Sequence, residues 1–202
     1  MSDPNVYPGT DVFINKRNIH DADKLERFEC LMSTKRMEEA LPPVPMSYEG
    51  YKAIHRHMFQ DVYHWEGEAR TVSLAKDDTF FGPPDHVDTE MQKRFEVIAR
   101  GSKLKGMRRA GFAKHAAEHI EEISAIHPLR EGNGRAQRQF LKLLAQQAGH
   151  KLDLKRIMPE AWHHASVQGF HGKHDAMEKV IRSAIVERPR IKTRSRDEGR
   201  ER

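Results

Sequence analysis

The 202-residue sequence predicts a mainly α-helical domain with one short β element. Three observations support this fold class. Apolar residues recur at intervals of three and four in several separate segments, which is the spacing of one helix face. A single short segment alternates polar and apolar residues, which is typical of a strand. The chain is also long enough to bury a sizeable core, and it contains no internal repeat.

Two helices are predicted in the first third of the chain. The first begins after Asp21 or Asp23, and the proline-rich residues 42–45 end it. Its apolar stripe comprises Leu25, Phe28, Leu31, Met32 and Met37. Ser47 is predicted to be the N-cap of the second helix, because a serine hydroxyl can accept from a free N–H of the first turn. The apolar positions of that helix are Tyr51, Ile54, Met58, Phe59 and Val62.

The β element is predicted at residues 71–81. Residues 71–74 alternate polar and apolar side chains, residues 76–79 are turn-forming, and Phe80 and Phe81 begin a return strand. Residues 82–84, Gly-Pro-Pro, end it.

Four helices are predicted after the hairpin. One covers residues 87–100, with Val87, Met91, Phe95 and Ile98 on one face. The next leads directly into His127 and carries Phe112, Ala116, Ile120, Ile123 and Ile126. A third ends at Gly149, a natural helix stop, and carries Phe140, Leu141, Leu144, Ala145 and Ala148. The last uses Met177, Val180, Ile181 and Ile185.

Cysteine content and hydropathy favour a cytoplasmic place of synthesis. The lone Cys30 excludes an internal disulfide, fits a reducing compartment, and is expected to be buried as a small hydrophobe. There is no apolar run of membrane-spanning length and no apolar segment typical of a secretory signal. Delivery into another cell by a specialised secretion system would leave no mark of this kind.

The excess positive charge is concentrated at the C-terminus. The net charge is +5 and the sequence pI is 9.3. Residues 188–202 contain seven basic and three acidic residues, which is +4 of that total. With almost no apolar residues, this segment is predicted to be a disordered basic tail that follows a domain of residues 1–187. The tail could contact nucleic acid through its charge, but a solubilising role is favoured.

Residues 127–138 combine the groups that nucleotide chemistry requires. A glycine-rich loop opens onto a helix N-terminus, where free N–H groups and the helix dipole favour an anion. Arg135 and Arg138 are three residues apart, so both are predicted to point the same way and to donate to phosphate. Glu131 suits Mg²⁺, and His127 suits general base catalysis near neutral pH. The segment therefore predicts a site that transfers part of a nucleotide.

These twelve residues resemble the signature of Fic-domain proteins, His-Pro-Phe-x-Asp/Glu-Gly-Asn-Gly/Lys-Arg-x-x-Arg. Every defined position matches except Leu129, which replaces the usual Phe. The resemblance implies a Fic-type helical bundle with a β-hairpin flap next to the active-site loop. It also implies an enzyme that transfers AMP from ATP to a hydroxyl side chain of a target protein. It covers roughly residues 5–185.

The resemblance assigns the chemical roles. His127 would take the proton from the incoming hydroxyl, and Glu131 would hold Mg²⁺ between the α- and β-phosphates. The anion nest would be formed by Gly132, Asn133 and Gly134, and Asn133 would also contact the α-phosphate. Arg135 and Arg138 would hold the β- and γ-phosphates.

The resemblance also assigns structural and docking roles. Pro128 would fix the exit of the loop, and Leu129 would be its apolar anchor. Residues 61–70 are similar to the segment that leads into the flap of Fic domains, which places the flap at about residues 70–86. An extended target segment would pair with the flap edge, as in strand addition. Phe80 or Phe81 would clamp the target residue; the alternative is that these rings only pack the core.

Regulation is inferred from the same resemblance. Many Fic proteins carry an inhibitory helix with Ser/Thr-x-x-x-Glu-Gly/Asn, and no segment of this sequence fits that pattern. The chain therefore resembles the bacterial toxin class, in which a separate small antitoxin supplies a glutamate to Arg138. By analogy, its targets would be the ATP-binding subunits of DNA gyrase and topoisomerase IV.

Two other function classes are alternatives. Gly134 stands where phosphate-transferring relatives have Lys, which favours AMP transfer over a phosphotransferase or another nucleotidyl-group transferase on the same scaffold. A non-catalytic basic protein that binds nucleic acid would need neither His127 nor Glu131.

Overall fold

Seven α-helices dominate residues 3–76, 79–100 and 104–186, the part of the chain that the computed structural model describes. The helices are α1 (Ala22–Glu38), α2 (Tyr48–Phe59), α3 (Val87–Arg100), α4 (Arg109–Ile126), α5 (Asn133–Ala148), α6 (Pro159–Phe170) and α7 (Asp175–Ala184). Strands β1 (Ala75–Lys76) and β2 (Thr79–Phe80) form one antiparallel pair, and β3 (Lys151–Leu152) and β4 (Ile185–Val186) form a second. The predicted mainly α fold is confirmed.

The helices pack around α4, which contacts α3, α5, α6 and α7. The apolar faces predicted for α2, α3 and α5 are buried in a common core. Phe140 of α5 joins them, because its ring lies 5.8 Å from that of Tyr51 in α2 and 5.1 Å from that of Phe95 in α3. Burying side chains of this size stabilises the fold by roughly 1.5–3 kcal/mol each. Helix α5, whose first turn follows the motif loop, is thereby fixed in the core.

The predicted helix ends are confirmed where a side chain or glycine specifies them. The Asp21 carboxylate accepts from the Lys24 N–H of α1 at 2.8 Å, and the Ser47 hydroxyl accepts from the Gly50 N–H of α2 at 3.2 Å. Gly149 ends α5 in the left-handed conformation, with φ of 85°.

Two predictions for α1 are wrong. Leu31 was placed on the apolar stripe but is exposed, and Cys30 is exposed as well. Since α1 packs mainly against α2, only a narrow face of it is covered. Leu25 is buried there, and Phe28, Met32 and Met37 are partly buried and pack against the core.

The hairpin is present, but its first strand lies later in the chain than predicted, and its second strand begins one residue earlier, at Thr79. Ala75 pairs with Phe80, and the Phe81 N–H donates to the Leu74 carbonyl at 3.1 Å. The prediction of a strand at residues 71–74 is therefore wrong. The Val72 carbonyl is bonded by the Arg70 side chain instead of by a neighbouring strand.

Helix α6 and the pair β3–β4 were not predicted. The buried side of α6 comprises Trp162, Ala165 and Gly169, which is a weak apolar signal because two of the three residues are small. Ile185 was predicted in the last helix, but α7 ends at Ala184 and Ile185 pairs with Leu152.

The predicted domain end at residue 187 and the tail at residues 188–202 lie outside the described residues. Within the described ranges, no helix combines the length and apolar character needed to cross a bilayer.

We expect Gly50→Ala to destabilise the protein even though alanine favours helices by about 1 kcal/mol over glycine. A Cβ at Gly50 would overlap the backbone carbonyl of Pro45, and such overpacking costs roughly 1–3 kcal/mol. The matched control is Gly111→Ala in α4, where the nearest heavy atom to a new Cβ is Met107 Sδ at 3.8 Å. Thermal unfolding should give a lower Tm for the first variant and an equal or higher Tm for the second. A higher Tm for both would contradict the close approach of Pro45 to α2.

Candidate active site

His127 follows directly on α4 in a left-handed conformation, with φ of 50° and ψ of 64°. This conformation is strained in a residue with a side chain, by about 1–3 kcal/mol, so surrounding contacts must maintain it. Its ring stacks on that of Phe81 from the flap, with centroids 3.8 Å apart and planes inclined by 19°. The base predicted from the motif therefore lies directly beneath the hairpin.

Arg70 holds the backbone of this turn and was not identified from the sequence. Its Nε donates to the His127 carbonyl at 2.7 Å, and its own N–H donates to the Pro128 carbonyl at 2.9 Å. The only sequence signal was its position at the end of the segment that leads into the flap.

The loop after His127 is anchored from inside. The Leu129 side chain is fully buried, as predicted for the anchor position. The Asn133 amide closes the loop, because Nδ2 donates to the Leu129 carbonyl at 2.7 Å and Oδ1 accepts from the Leu129 N–H at 3.0 Å. Both polar atoms of this buried side chain are thus bonded within the loop, and its contact with the α-phosphate stays a prediction. Asn133 can still contribute its backbone N–H.

The loop ends at Gly132, which has φ of 77° and precedes the first turn of α5. A Cβ at this position would overlap the Phe59 ring, so both the conformation and the space require glycine. The first N–H groups of α5, at Asn133, Gly134 and Arg135, have no acceptor within the helix. These groups lie at the positive end of the helix dipole, where an anion is favoured, and the anion site that the motif predicts stays a prediction.

The two motif arginines do not point the same way, contrary to prediction. Arg135 turns towards α1, where it donates to Ser33 Oγ at 2.9 Å and to Glu29 Oε1 at 2.5 Å. Its guanidinium also lies 4.7 Å from the centroid of the Phe59 ring. Burial acts to lower the pKa of Arg135, but the Glu29 carboxylate raises it above its ordinary value. The contacts with α1 explain why the Arg135 side chain points towards that helix. They also leave Arg135 poorly placed to hold a phosphate.

Arg138 faces a cavity of about 180 Å³ next to His127 and Gly134. No side chain or carbonyl in the described part of the chain forms a hydrogen bond or ion pair with its guanidinium. Burial and the neighbouring Arg135 lower the pKa of Arg138, although arginine stays charged. An anion that entered the cavity would compensate this charge.

Glu131 is held at one oxygen and available at the other. Its Oε1 accepts from the Gly132 N–H at 2.7 Å and lies 3.3 Å from Arg135 Nη2. Its Oε2 accepts no hydrogen bond from the described residues, and 43% of the side chain is exposed. Mg²⁺ is commonly bound by one or two carboxylates together with phosphate oxygens and water, so this residue fits such an ion.

His55 supports the loop from the core and was also missed by sequence reasoning. Its Nε2 lies 3.1 Å from the Glu131 carbonyl, and its Nδ1 accepts from the Gly67 N–H at 2.9 Å. Since Nδ1 accepts, Nε2 carries the proton and donates. Burial lowers the pKa of His55 to about 3, so the ring stays neutral and cannot act as an acid near neutral pH.

The far wall of the cavity is supplied by α6, through Pro159, Trp162, His163, Ser166, Val167 and Phe170. This wall could not be located from the sequence, because α6 was not predicted. The Trp162 ring is fixed there by a 3.2 Å hydrogen bond from Nε1 to Gln137 Oε1. The cavity is thus lined by the charged residues Arg138 and Glu121 and by both polar and apolar side chains of α6.

The two flap phenylalanines have different environments. Phe81 stacks on His127 and lines the cavity, whereas the Phe80 residue is 79% exposed. The alternative that Phe80 packs the core is therefore wrong. A role of either ring in clamping a target stays a prediction.

Comparison with known proteins agrees with the motif. The chain matches the Fic/DOC family over residues 45–145. A protein of Sinorhizobium fredii named probable protein adenylyltransferase is 39% identical over 186 residues, which cover 92% of this chain and 97% of that protein. An Escherichia coli protein named probable protein adenylyltransferase Fic is 31% identical over 186 residues, covering 92% and 93%.

A solved structure has the same fold. The BepC protein of Bartonella tribocorum, crystallised with bound AMPPNP, has a TM-score of 0.81 and 24% sequence identity to this chain. The match covers 91% of this chain and 97% of that one.

Replacing the two motif arginines by alanine is expected to have different effects on stability. Arg135→Ala leaves Glu29, whose side chain is only 12% exposed, without its cation, and should lower the free energy of unfolding by about 2 kcal/mol. Arg138→Ala removes a buried cation that has no partner among the described residues. This variant should change the free energy of unfolding by less than about 0.5 kcal/mol or raise it. Chemical denaturation of both variants tests this. Equal losses would contradict the different environments.

Proposed function

Because the chain belongs to the Fic/DOC family, we propose that it is a protein adenylyltransferase, which transfers AMP from ATP to a hydroxyl side chain of a target protein. The observation that carries the proposal is the convergence of His127, the N-terminus of α5 and Arg138 on one cavity beneath the flap. The relatives named protein adenylyltransferase match nearly the whole chain, so they support the same activity.

In the proposed reaction, the target hydroxyl enters between the flap and His127. The imidazole accepts the hydroxyl proton as the oxygen attacks the α-phosphorus of ATP. A new bond from this oxygen to phosphorus forms, the bond to the bridging oxygen breaks, and pyrophosphate leaves. The protein contributes mainly by positioning the reactants and by stabilising the negative charge.

The phosphates of ATP would be bound by N–H groups and by charged side chains of the site. The free N–H groups of Asn133 and Gly134 would bind the inner phosphates at the start of α5. Arg138 would hold the terminal phosphates, since its guanidinium faces the cavity. Arg135 would act through Glu131, whose carboxylate it orients, because its other donors are bonded to Glu29 and Ser33.

A magnesium ion is part of the proposal. Glu131 would bind it through Oε2, and the ion would neutralise charge on the phosphates. The nucleoside would then lie along α6, because Trp162 and Phe170 of this helix line the same cavity as Arg138.

The flap is proposed to dock the target. A two-stranded sheet has an unpaired edge on each strand, and an extended target segment can add to such an edge through backbone hydrogen bonds. The exposed ring of Phe80 is available to contact a target side chain.

We further propose that the enzyme is a bacterial toxin that acts in the cytoplasm and is restrained by a small antitoxin protein. Arg138, which has no partner in the described ranges, supports this, because a glutamate from another protein could bind it and displace the γ-phosphate. Among the described residues, the glutamates that contact a motif arginine, Glu29 and Glu131, contact Arg135 instead. The ATP-binding subunits of DNA gyrase and topoisomerase IV are proposed as targets.

The activity is tested with ATP labelled at the α- or the γ-phosphate, incubated with bacterial lysate and with purified gyrase and topoisomerase IV subunits. We expect protein labelling from α-labelled ATP only, and its loss with EDTA. His127→Ala should lower transfer by on the order of 100-fold or more without a loss of ATP affinity, because the base acts on the target hydroxyl. His164→Ala, an exposed histidine of α6 outside the cavity, is the matched control.

Each component of the proposal can fail separately in this experiment. Labelling from γ-labelled ATP would indicate a phosphotransferase, and labelling from neither nucleotide would contradict both transfer reactions. Activity that persists in EDTA would contradict the role of Mg²⁺. Labelling of lysate proteins but of neither topoisomerase subunit would contradict the proposed targets alone.

The antitoxin is tested by expressing the chain alone and together with the products of neighbouring genes. We expect growth arrest from the chain alone and relief by a small helical protein containing Ser/Thr-x-x-x-Glu-Gly/Asn. Changing that glutamate to glycine should restore AMP transfer while the two proteins still bind each other. An inactive purified chain that becomes active when residues 1–45 are removed would show that the restraint is internal.

A further inference from the structure

Arg70 is a buried cation whose charge is not paired with a carboxylate in the part of the chain that the structure describes. The whole residue is 2% exposed, and burial lowers the pKa of its guanidinium. Taking a charge out of water is unfavourable unless hydrogen bonds and local dipoles compensate it. The position of this residue therefore needs a physical explanation beyond packing.

The guanidinium is compensated by four backbone carbonyls from two separate parts of the chain. Two lie at the end of α4: Nε donates to the His127 carbonyl at 2.7 Å, and Nη2 donates to the Ile126 carbonyl at 3.1 Å. Carbonyls at a helix C-terminus carry partial negative charge and favour a cation. Two others flank the hairpin: Nη1 donates to the Val72 carbonyl at 2.8 Å, and Nη2 donates to the Gly82 carbonyl at 2.5 Å.

This arrangement joins the flap to the base. Val72 precedes the hairpin and Gly82 follows it, so Arg70 fixes both of its ends relative to His127. The stacking of Phe81 on the His127 ring adds one direct contact between the same two elements. The groups proposed to bind the phosphates, at the start of α5 and on Arg138, are not among the partners of Arg70.

We propose that Arg70 is a positioning residue that holds the target-docking edge of the flap in register with His127. This inference rests on the proposed function. A target segment docked on the flap presents its hydroxyl to the base only if the distance between flap and base is fixed. Loss of the four hydrogen bonds should therefore impair the use of the target, while ATP still binds between α5 and α6.

Arg70→Lys tests this role, because it keeps the charge but replaces the planar fork with one ammonium group. A single ammonium cannot reach carbonyls on both sides of the guanidinium. At saturating ATP we expect transfer to fall on the order of 10- to 100-fold, in kcat, in the KM for the target, or in both. The Kd for ATP should stay within about twofold of the wild-type value.

A second variant guards against a simple folding defect. In Arg70→Ala, added guanidinium ion can occupy the vacated space, and transfer should rise severalfold in tens of millimolar guanidinium but not in equal sodium chloride. Arg100→Lys is the matched control, because Arg100 forms an exposed surface pair with Glu96. This control should transfer AMP at the wild-type rate.

The outcomes separate the inference from the function on which it rests. If the wild-type chain transfers nothing from α-labelled ATP, the proposed function fails. If it transfers AMP and Arg70→Lys does so with unchanged kcat and target KM, the role of Arg70 is overturned. A loss of ATP affinity that parallels the loss of transfer would also overturn it, because Arg70 would then support the whole site.

Discussion

The left-handed turn at His127 is the constraint on which the site depends. Helix α4 must end at this residue so that the imidazole lies under the flap while the next residues enter the core. The conformation is unfavourable for histidine, and it is maintained by donors to three successive carbonyls, those of Ile126, His127 and Pro128. Arg70 supplies all of these donors, so a single buried side chain and its backbone determine where this turn lies.

The rest of the loop is held by buried groups whose polar atoms are occupied. Leu129 anchors it in the core, Asn133 closes it, and a neutral His55 supports the Glu131 carbonyl. Replacing the usual phenylalanine by leucine at position 129 therefore keeps the apolar anchor. The N–H groups at the start of α5 are left facing the cavity, which is the property that an anion site requires.

The two arginines of the motif differ in role, since one stabilises the packing of the loop and the other is available to bind an anion. Arg135 is bonded to Glu29 and Ser33 of α1 and connects that helix to the loop, whereas Arg138 faces the cavity without a partner among the described residues. An arginine that has no partner among the described residues makes the cavity sensitive to any carboxylate that reaches it. Because the contacts with α1 occupy Arg135, Arg138 is the motif arginine to which an external glutamate would bind in the proposed regulation.

The sequence by itself determined the helical fold, the main apolar faces, the caps at Asp21 and Ser47, and the motif loop, because these depend on local periodicity and short-range hydrogen bonds. It also predicted functional roles for His127, Glu131 and Arg138 from spacing and chemistry. Only the tertiary structure decided the direction of Arg135, the roles of Arg70 and His55, and the cavity wall on α6. Their deciding partners lie far away in the sequence, as in the Arg70–His127, His55–Glu131 and Arg135–Glu29 contacts, which span 57, 76 and 106 positions. Local pattern cannot specify such pairs, because they form only when packing brings distant elements together.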